Sequence, residues 1–165
     1  MANTKAGTII KRTLVGLLLT LVVIQFIHPA KNTSSATTAD DFNNIYPIPD
    51  SVQTILKKAC YDCHSDNTSY PWYNNIQPVA WWLDHHITEG KRELNFSEFG
   101  KRPLAKRAKK IRKIAKEVRG GGMPLDSYTW IHKDAILTDA EKNIIINWAN
   151  NLSQQIDAQN PPATK

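Results

Sequence analysis

The chain contains two cysteines, and both fall in one pentapeptide, Cys60-Tyr61-Asp62-Cys63-His64. The spacing C-x-x-C-H is the attachment signature of a c-type haem. Two thiols on one helical turn can form thioethers with the two vinyl groups at one edge of a porphyrin, and the imidazole that follows can bind the iron. The motif therefore predicts one covalent haem c per chain, held by Cys60 and Cys63, with His64 as the proximal iron ligand.

Three other sites are compatible with the pentapeptide taken alone. A disulfide between Cys60 and Cys63 would close a very tight loop. A redox-active dithiol of the thioredoxin type would need a βαβ context, and no strand-rich run precedes the motif. A zinc site needs a fourth ligand, usually from a second spaced pair, whereas the available His85 and His86 are adjacent. A haem site in turn requires an export route, a pocket and a second iron ligand elsewhere in the chain.

The N-terminal segment, residues 1–29, has the composition of an export signal or membrane anchor. The basic residues Lys5, Lys11 and Arg12 precede an apolar run from Leu14 to Ile27. Extended back to Thr8, the run reaches about 20 residues, which is enough to span a bilayer. No A-x-A cleavage site follows, so an uncleaved single-pass anchor is favoured over a cleaved signal peptide and a soluble periplasmic domain. The basic flank would stay in the cytoplasm, which places the rest of the chain on the periplasmic side of a bacterial inner membrane, where haem c is attached.

The remainder predicts an all-α, cytochrome-c-like domain over residues 42–152, with a flexible Ser/Thr/Ala-rich linker at 30–41 and a disordered tail at 153–165. Asp50 or Ser51 would cap a first helix that ends at Cys60. A capping box of Thr138 and Glu141 would start the last helix, with Ile144, Ile145, Trp148 and Leu152 on its apolar side. Between them we predict one helix from Val79 to about Glu89, ending near Gly90, and another from about Pro103 to Arg119. Trp81 and Trp82 on the earlier of these are expected in the core or against the haem ring.

The second iron ligand is predicted to be Met123. It follows the helix-stopping glycines 120–122, some 60 residues after the C-x-x-C-H motif, which is where small cytochromes c place a methionine ligand. A core methionine is the alternative. At most one of His85 and His86 can face the haem, because neighbours on a helix point about 100° apart. The roles of these two histidines, and of Tyr128, Trp130 and His132, are left open.

The net charge of +6 and pI near 9.3 make the chain basic. Most of the positive charge lies on the predicted helix at 101–119. This basic face predicts docking of an acidic redox partner or of lipid phosphates. Nucleic acid is not expected as a partner of an exported chain.

Several separated motifs resemble the bacterial haem-binding domain family of cytochrome-c type. They are residues 60–73, Asp-His-His at 84–86, Leu-Asn-Phe-Ser at 94–97 and Gly-Met-Pro at 122–124. The resemblance covers roughly residues 40–152. It implies a periplasm-facing mono-haem domain with thioethers at Cys60 and Cys63, His64 as the proximal ligand and Met123 as the sixth ligand.

The expected function is one-electron transfer by a membrane-tethered cytochrome rather than catalysis. A carrier needs a fixed potential and a docking surface, and no acid–base residue. The alternative is an open-iron protein, either a peroxidase-like enzyme or a gas or redox sensor, in which Met123 is off the iron and His85, His86 or His132 acts on the distal side.

Overall fold

A computed structural model describes residues 2–34 and 36–159. Within these ranges the chain is helical and has no strand, only an isolated antiparallel bridge between Thr33 and Asn67. The α-helices of this part of the chain are α1 (Ala2–Ile24), α2 (Phe42–Ile45), α3 (Asp50–Ala59), α4 (Tyr61–His64), α5 (Val79–Glu93), α6 (Leu104–Gly120), α7 (Asp126–Thr129) and α8 (Asp139–Gln159). The predicted all-α class is confirmed.

The chain divides into two compact units. Of the described residues, the first unit comprises 2–31 and 70–86, and the second unit comprises 32–34, 36–69 and 87–159. The first unit contains α1, whose residues Ala6–Ile24 are long and apolar enough to cross a membrane. The predicted anchor is therefore confirmed as a candidate span. A signal sequence has the same length and composition. A 3-10 helix at Trp72–Asn75 and the first half of α5 complete this unit.

The core of the second unit is built mainly between α6 and α8. The buried stripe of α6 is Ala108, Ile111, Ala115 and Val118, which recur at helical spacing as the sequence predicts. The facing stripe of α8 is Ile145, Ala149, Leu152 and Ile156. Alanines on both helices allow the two backbones to approach closely, because a small side chain leaves room for the opposite ridge. Ile144, predicted on the apolar side, is 38% exposed.

An aromatic cluster closes the other side of this core around Phe42, which is fully buried. The ring centroids of Tyr46, Phe96, Phe99 and Trp148 lie 5.3, 5.4, 4.9 and 5.8 Å from that of Phe42. Three of these four rings meet it edge to face, the geometry that aromatic quadrupoles prefer. The sequence did not predict α2, which is capped by the Asp41 carboxylate accepting from the Asn43 N–H at 2.9 Å.

Two predicted flexible segments are partly ordered. In the linker, Ser34 N–H donates to Asp66 O at 2.8 Å and Thr68 N–H donates to Asn32 O at 2.9 Å, so residues 32–34 pair with residues 66–68. The tail prediction for residues 153–165 is wrong over 153–159. There α8 continues, and Ser153 and Ile156 are buried. Residues 160–165 lie outside the described residues.

Two helix predictions differ from the structure and a third is confirmed. Helix α5 continues beyond Gly90 to Glu93. Helix α3 follows Pro49 and has no side-chain cap from Asp50 or Ser51. Helix α6 does stop at the glycines, where Gly121 has φ +72, a left-handed conformation that costs a residue without Cβ least.

Candidate functional site

The C-x-x-C-H motif lies at the junction of two helices in the second unit. Cys60 ends α3, where its N–H donates to Leu56 O at 2.9 Å, and α4 forms a single turn from Tyr61 to His64. The His64 N–H closes that turn on Cys60 O at 3.0 Å. The turn keeps the three residues close together, but their side chains differ in placement: Cys60 and His64 line the cavity described below, and Cys63 is not among its lining residues.

The His64 imidazole is held by two backbone carbonyls at the end of α5. Its Nδ1 lies 2.8 Å from Gly90 O and 2.9 Å from Leu94 O. Carbonyl oxygens only accept hydrogen bonds, so Nδ1 carries the ring proton and Nε2 keeps a free lone pair. Burial lowers the pKa of His64 below its usual value, which favours the neutral ring. The arrangement fixes both the tautomer and the ring orientation that a metal-binding histidine requires.

Gly90 is required by the close approach of α5 to the motif. A Cβ at this position would lie 2.5 Å from Cys63 O and 3.1 Å from Cys63 Cβ, closer than real side chains come. The sequence pattern predicts that the helix ends near Gly90. Its absent side chain instead lets α5 pass over Cys63 and offer its carbonyls to His64.

Asp62, which fills one of the two x positions of the C-x-x-C-H motif, accepts hydrogen bonds from residues outside the motif. The Tyr128 hydroxyl donates to Asp62 Oδ2 at 2.7 Å, and Ser69 N–H donates to Asp62 Oδ1 at 3.1 Å. The Tyr128 ring stacks on His132 with centroids 4.2 Å apart. Burial and the neighbouring carboxylate raise the pKa of Tyr128, which therefore stays a hydrogen-bond donor at neutral pH. Tyr128 therefore helps to hold the motif in place through Asp62. The sequence does not reveal this role because the two residues are 66 positions apart.

Cys60, His64 and Met123 line one cavity of about 190 Å³ in the second unit. The remaining walls are mostly apolar and are formed by Ala59, Leu94, Phe96, Ile114 and Val118, with Glu93, Lys110, Lys113 and Glu117 as the polar part. The structure therefore brings the predicted sixth ligand to the same cavity as the predicted proximal ligand, although the two are far apart in sequence.

The polar side of the cavity balances two lysines against two glutamates and opens onto a cationic cleft. Lys113 and Lys110 both pair with the Glu93 carboxylate, at 2.8 and 3.2 Å. These hydrogen bonds lower the pKa of Glu93 to about 2. An open cleft of about 430 Å³ shares these three residues and Glu117 with the cavity and adds Lys109, Arg112 and Lys116. The predicted basic face thus adjoins the cavity.

The alternatives for the two cysteines find little support. Both thiols are free. Burial raises the pKa of Cys60 to about 12 and that of Cys63 to about 11, whereas a redox-active dithiol needs a lowered pKa. Among the described residues, no group of three or more His, Cys, Asp or Glu side chains is placed to hold a metal ion, as a zinc site would require.

The remaining histidines and tryptophans have varied surroundings. In the described lining of the cavity, His64 is the one histidine. His86 Nδ1 lies 3.0 Å from Trp82 O, and His85 is exposed. Trp81 and Trp82 are 38% and 44% exposed, so neither lies in the core, which was one of the two predicted places, and neither is among the residues that line the cavity.

Sequence reasoning missed Gly90, Leu94, Glu93 and Asp62 as members of the site. Asp62 and Glu93 had no local signal, because their partners are distant in the chain. The two carbonyls that accept the His64 proton belong to the backbone, and every residue type carries such a group.

Comparisons with known proteins add one finding. A family model described as a haem-binding domain matches residues 19–151, most of the chain. Comparison with the curated proteins gives no match, and comparison with the solved structures gives none either. The matched range includes the C-x-x-C-H motif, α5, α6 and Met123.

Proposed function

The chain belongs to the haem-binding domain family, and from this premise we propose that it is a membrane-tethered, mono-haem c-type cytochrome that carries single electrons. The observation that carries the proposal is the fixed tautomer of His64, with Nδ1 held by two carbonyls, in a cavity shared with Cys60 and Met123. A haem bound there would supply an iron that alternates between ferrous and ferric states.

The donor set and the walls of the cavity fit such a group. A haem is a flat apolar ring with two carboxylates at one edge. The apolar walls suit the ring, and Lys110 and Lys113 supply the cations that would balance carboxylates at the polar side. Glu93, which now shares these lysines, is the residue whose contacts would change on loading.

Cys60 and Cys63 would attach the group. Each thiol would add across one vinyl group, with the sulfur bonding to one carbon and the hydrogen moving to the other, so no oxidant is consumed. The raised pKa values of both thiols mean that the attack would need the maturation machinery or an unfolded chain, where the thiols are solvated and more acidic.

Met123 would be the second iron ligand from the cavity that it shares with His64. A thioether is a soft ligand that favours the ferrous state and raises the reduction potential. Met123 follows Gly122, and its N–H donates to Glu117 O at 3.3 Å, so the end of α6 positions the loop that carries it. With both His64 and Met123 bound to the iron, no open position would remain for the chemistry of a peroxidase or for a gas ligand.

The anchor and the partner complete the proposal. Helix α1 would remain as an uncleaved single-pass anchor, with its N-terminus in the cytoplasm and the second unit in the periplasm. Lys11 and Arg12 lie inside the candidate span, about two turns from its start, and their long side chains would extend to the cytoplasmic headgroups. An acidic redox protein would dock on the basic face. Within the described residues, Lys109 and Lys116 have no ion-pair partner and line the cleft beside the cavity, which makes them the best docking cations. An electron would then enter or leave near the polar side of the cavity.

The test is a visible spectrum of the full chain made with haem-maturation machinery, alongside Met123→Ala. We expect haem that survives acid–acetone extraction, and a methionine–iron charge-transfer band that is lost in Met123→Ala. Leu125→Ala is the matched control, because Leu125 lies in the same loop, is 36% exposed and does not line the cavity. This variant should keep the band.

Two outcomes would overturn parts of the proposal. Extractable haem would rule out covalent attachment through Cys60 and Cys63. Ready binding of carbon monoxide by the reduced wild-type protein would mean that Met123 does not fill the sixth position, and would favour the open-iron alternative.

A further inference from the structure

The first unit joins the end of the candidate span to a distant aromatic segment. The 19 residues from Ala6 to Ile24 would extend about 28 Å as a helix, close to the roughly 30 Å of bilayer hydrocarbon. Ile24 would then lie at the edge of the hydrocarbon. Residues 25–27 would lie at the depth of the lipid headgroups.

Residues 25–27 are bonded directly to the segment at 77–81. Gln77 N–H donates to Gln25 Oε1 at 2.9 Å, and Gln25 Nε2 donates back to Gln77 O at 3.2 Å. Ile27 O accepts from Gln77 Nε2 at 2.7 Å and from the Trp81 indole N–H at 3.0 Å. Gln77 is only 3% exposed. These four bonds hold the start of α5 at the depth of the end of the span.

The segment held there is aromatic, uncharged and exposed. Residues 70–83 carry no Asp, Glu, Lys or Arg, and they contain half of the chain's tryptophans and tyrosines. Trp72 is 76% exposed and Trp82 is 44% exposed. Phe26, which lies between the bonded residues Gln25 and Ile27, is 83% exposed. Tryptophan and tyrosine concentrate at membrane–water interfaces because each has an apolar ring with a polar group that stays hydrated.

We propose that residues 70–83 lie in the periplasmic headgroup layer of the bilayer, with Trp72, Trp81 and Trp82 in contact with lipid. The occupant of this exposed aromatic surface is therefore the membrane that α1 crosses. The inference rests on the anchoring in the proposed function and is independent of the haem. The proposal also gives residues 25–27 a structural role. Cleavage of a signal peptide near residue 28 would remove these residues and with them all four bonds.

The proposal is tested with the full-length protein carrying 5-fluorotryptophan in nanodiscs of phosphatidylethanolamine and phosphatidylglycerol. Single Trp→Phe variants assign the five fluorine signals. Each signal is compared with and without a lipid bearing a nitroxide near the headgroup, and with and without a water-soluble gadolinium chelate. The effect of the haem iron is the same in each pair and cancels in the ratio.

We expect the Trp72, Trp81 and Trp82 signals to lose most of their intensity to the nitroxide lipid. Trp148 is the internal control, because it packs on the core of the second unit and should keep its signal. Gln77→Leu removes one of the four hydrogen bonds, that from Gln77 Nε2 to Ile27 O, and should weaken the response of Trp81 and Trp72. Gln155→Leu, an exposed glutamine of α8, should leave the response unchanged.

Loss of the Trp72 and Trp82 signals to the chelate alone would overturn the inference. Carbonate extraction separates this failure from failure of the anchor. A protein that stays in the membrane fraction but whose tryptophans do not contact lipid contradicts only this inference. A protein released by carbonate contradicts the anchoring itself.

Discussion

Replacement of Gly90 by alanine tests whether α5 and the C-x-x-C-H motif form one packed unit. The added Cβ would lie 2.5 Å from Cys63 O, whereas real Cβ atoms stay beyond 3.0 Å, so α5 must move by at least about half an ångström. Overpacking of this kind costs about 1–3 kcal/mol. Moving the helix also lengthens the 2.8 Å bond from His64 Nδ1 to Gly90 O, and a lost hydrogen bond costs about 1 kcal/mol.

Helix propensity opposes this loss by about 1 kcal/mol, because alanine is the better helix former. We therefore expect Gly90→Ala to lower the free energy of unfolding by about 1–3 kcal/mol. The assay is guanidinium unfolding of the detergent-solubilised chain, followed by circular dichroism. Gly120→Ala is the matched control, because a Cβ there meets nothing within 4 Å, and it should be neutral or stabilising. A Gly90→Ala protein as stable as Gly120→Ala would refute the close contact between α5 and Cys63.

Three further predictions concern the surroundings of the motif and its charges. Tyr128→Phe removes the hydrogen bond to Asp62 and should lower the free energy of unfolding by about 1.5–3 kcal/mol, as measured by the same denaturation. The pKa of Glu93, about 2, lies below its unfolded value of 4.5, so its ion pairs stabilise the fold above pH 4.5 and this contribution is lost as the pH falls towards 2. Glu93→Gln should therefore flatten the acid limb of a stability–pH curve, and an unchanged limb would contradict those pairs. Reversing charge with Lys109→Glu and Lys116→Glu should slow oxidation of the reduced protein by an anionic complex such as hexacyanoferrate and speed oxidation by a cationic complex, and equal effects on both would exclude electrostatic docking there.

Local patterns predicted the parts of the fold whose causes are local. The buried stripe of α6 follows from the spacing of its apolar residues. The capping box at the start of α8 is present as predicted, with Glu141 N–H donating to Thr138 Oγ1 at 3.2 Å and Thr138 N–H donating to Glu141 Oε2 at 2.9 Å. The end of α3 at Cys60 was also correct. Each of these features depends on residues three or four positions apart, which a sequence displays directly.

The errors occurred where a distant partner changes what a residue does. Gly90 has the sequence signature of a helix end, but its lack of a side chain serves a contact with Cys63. Trp81 and Trp82 have the composition of a core helix, yet they remain exposed, and Trp81 donates to a carbonyl 54 residues away. The C-terminal stretch after Leu152 has a polar composition typical of a tail, but Ile156 finds a place in the core. Sequence separation conceals all three partners.

The acceptors of the His64 proton bear on which function the site supports. A carboxylate acceptor would draw the ring proton strongly and make the imidazole a more basic iron ligand. Here the acceptors are the neutral carbonyls of Gly90 and Leu94, which draw it less. Glu93, a carboxylate in the lining of the cavity, pairs with Lys113 and Lys110 instead. Bound to an iron, His64 would therefore be a less basic ligand than a carboxylate-bonded histidine and would stabilise ferric and higher oxidation states less. Together with a thioether ligand it would favour a reversible ferrous–ferric couple, so the carbonyl acceptors favour the proposed electron carrier over an oxidising enzyme.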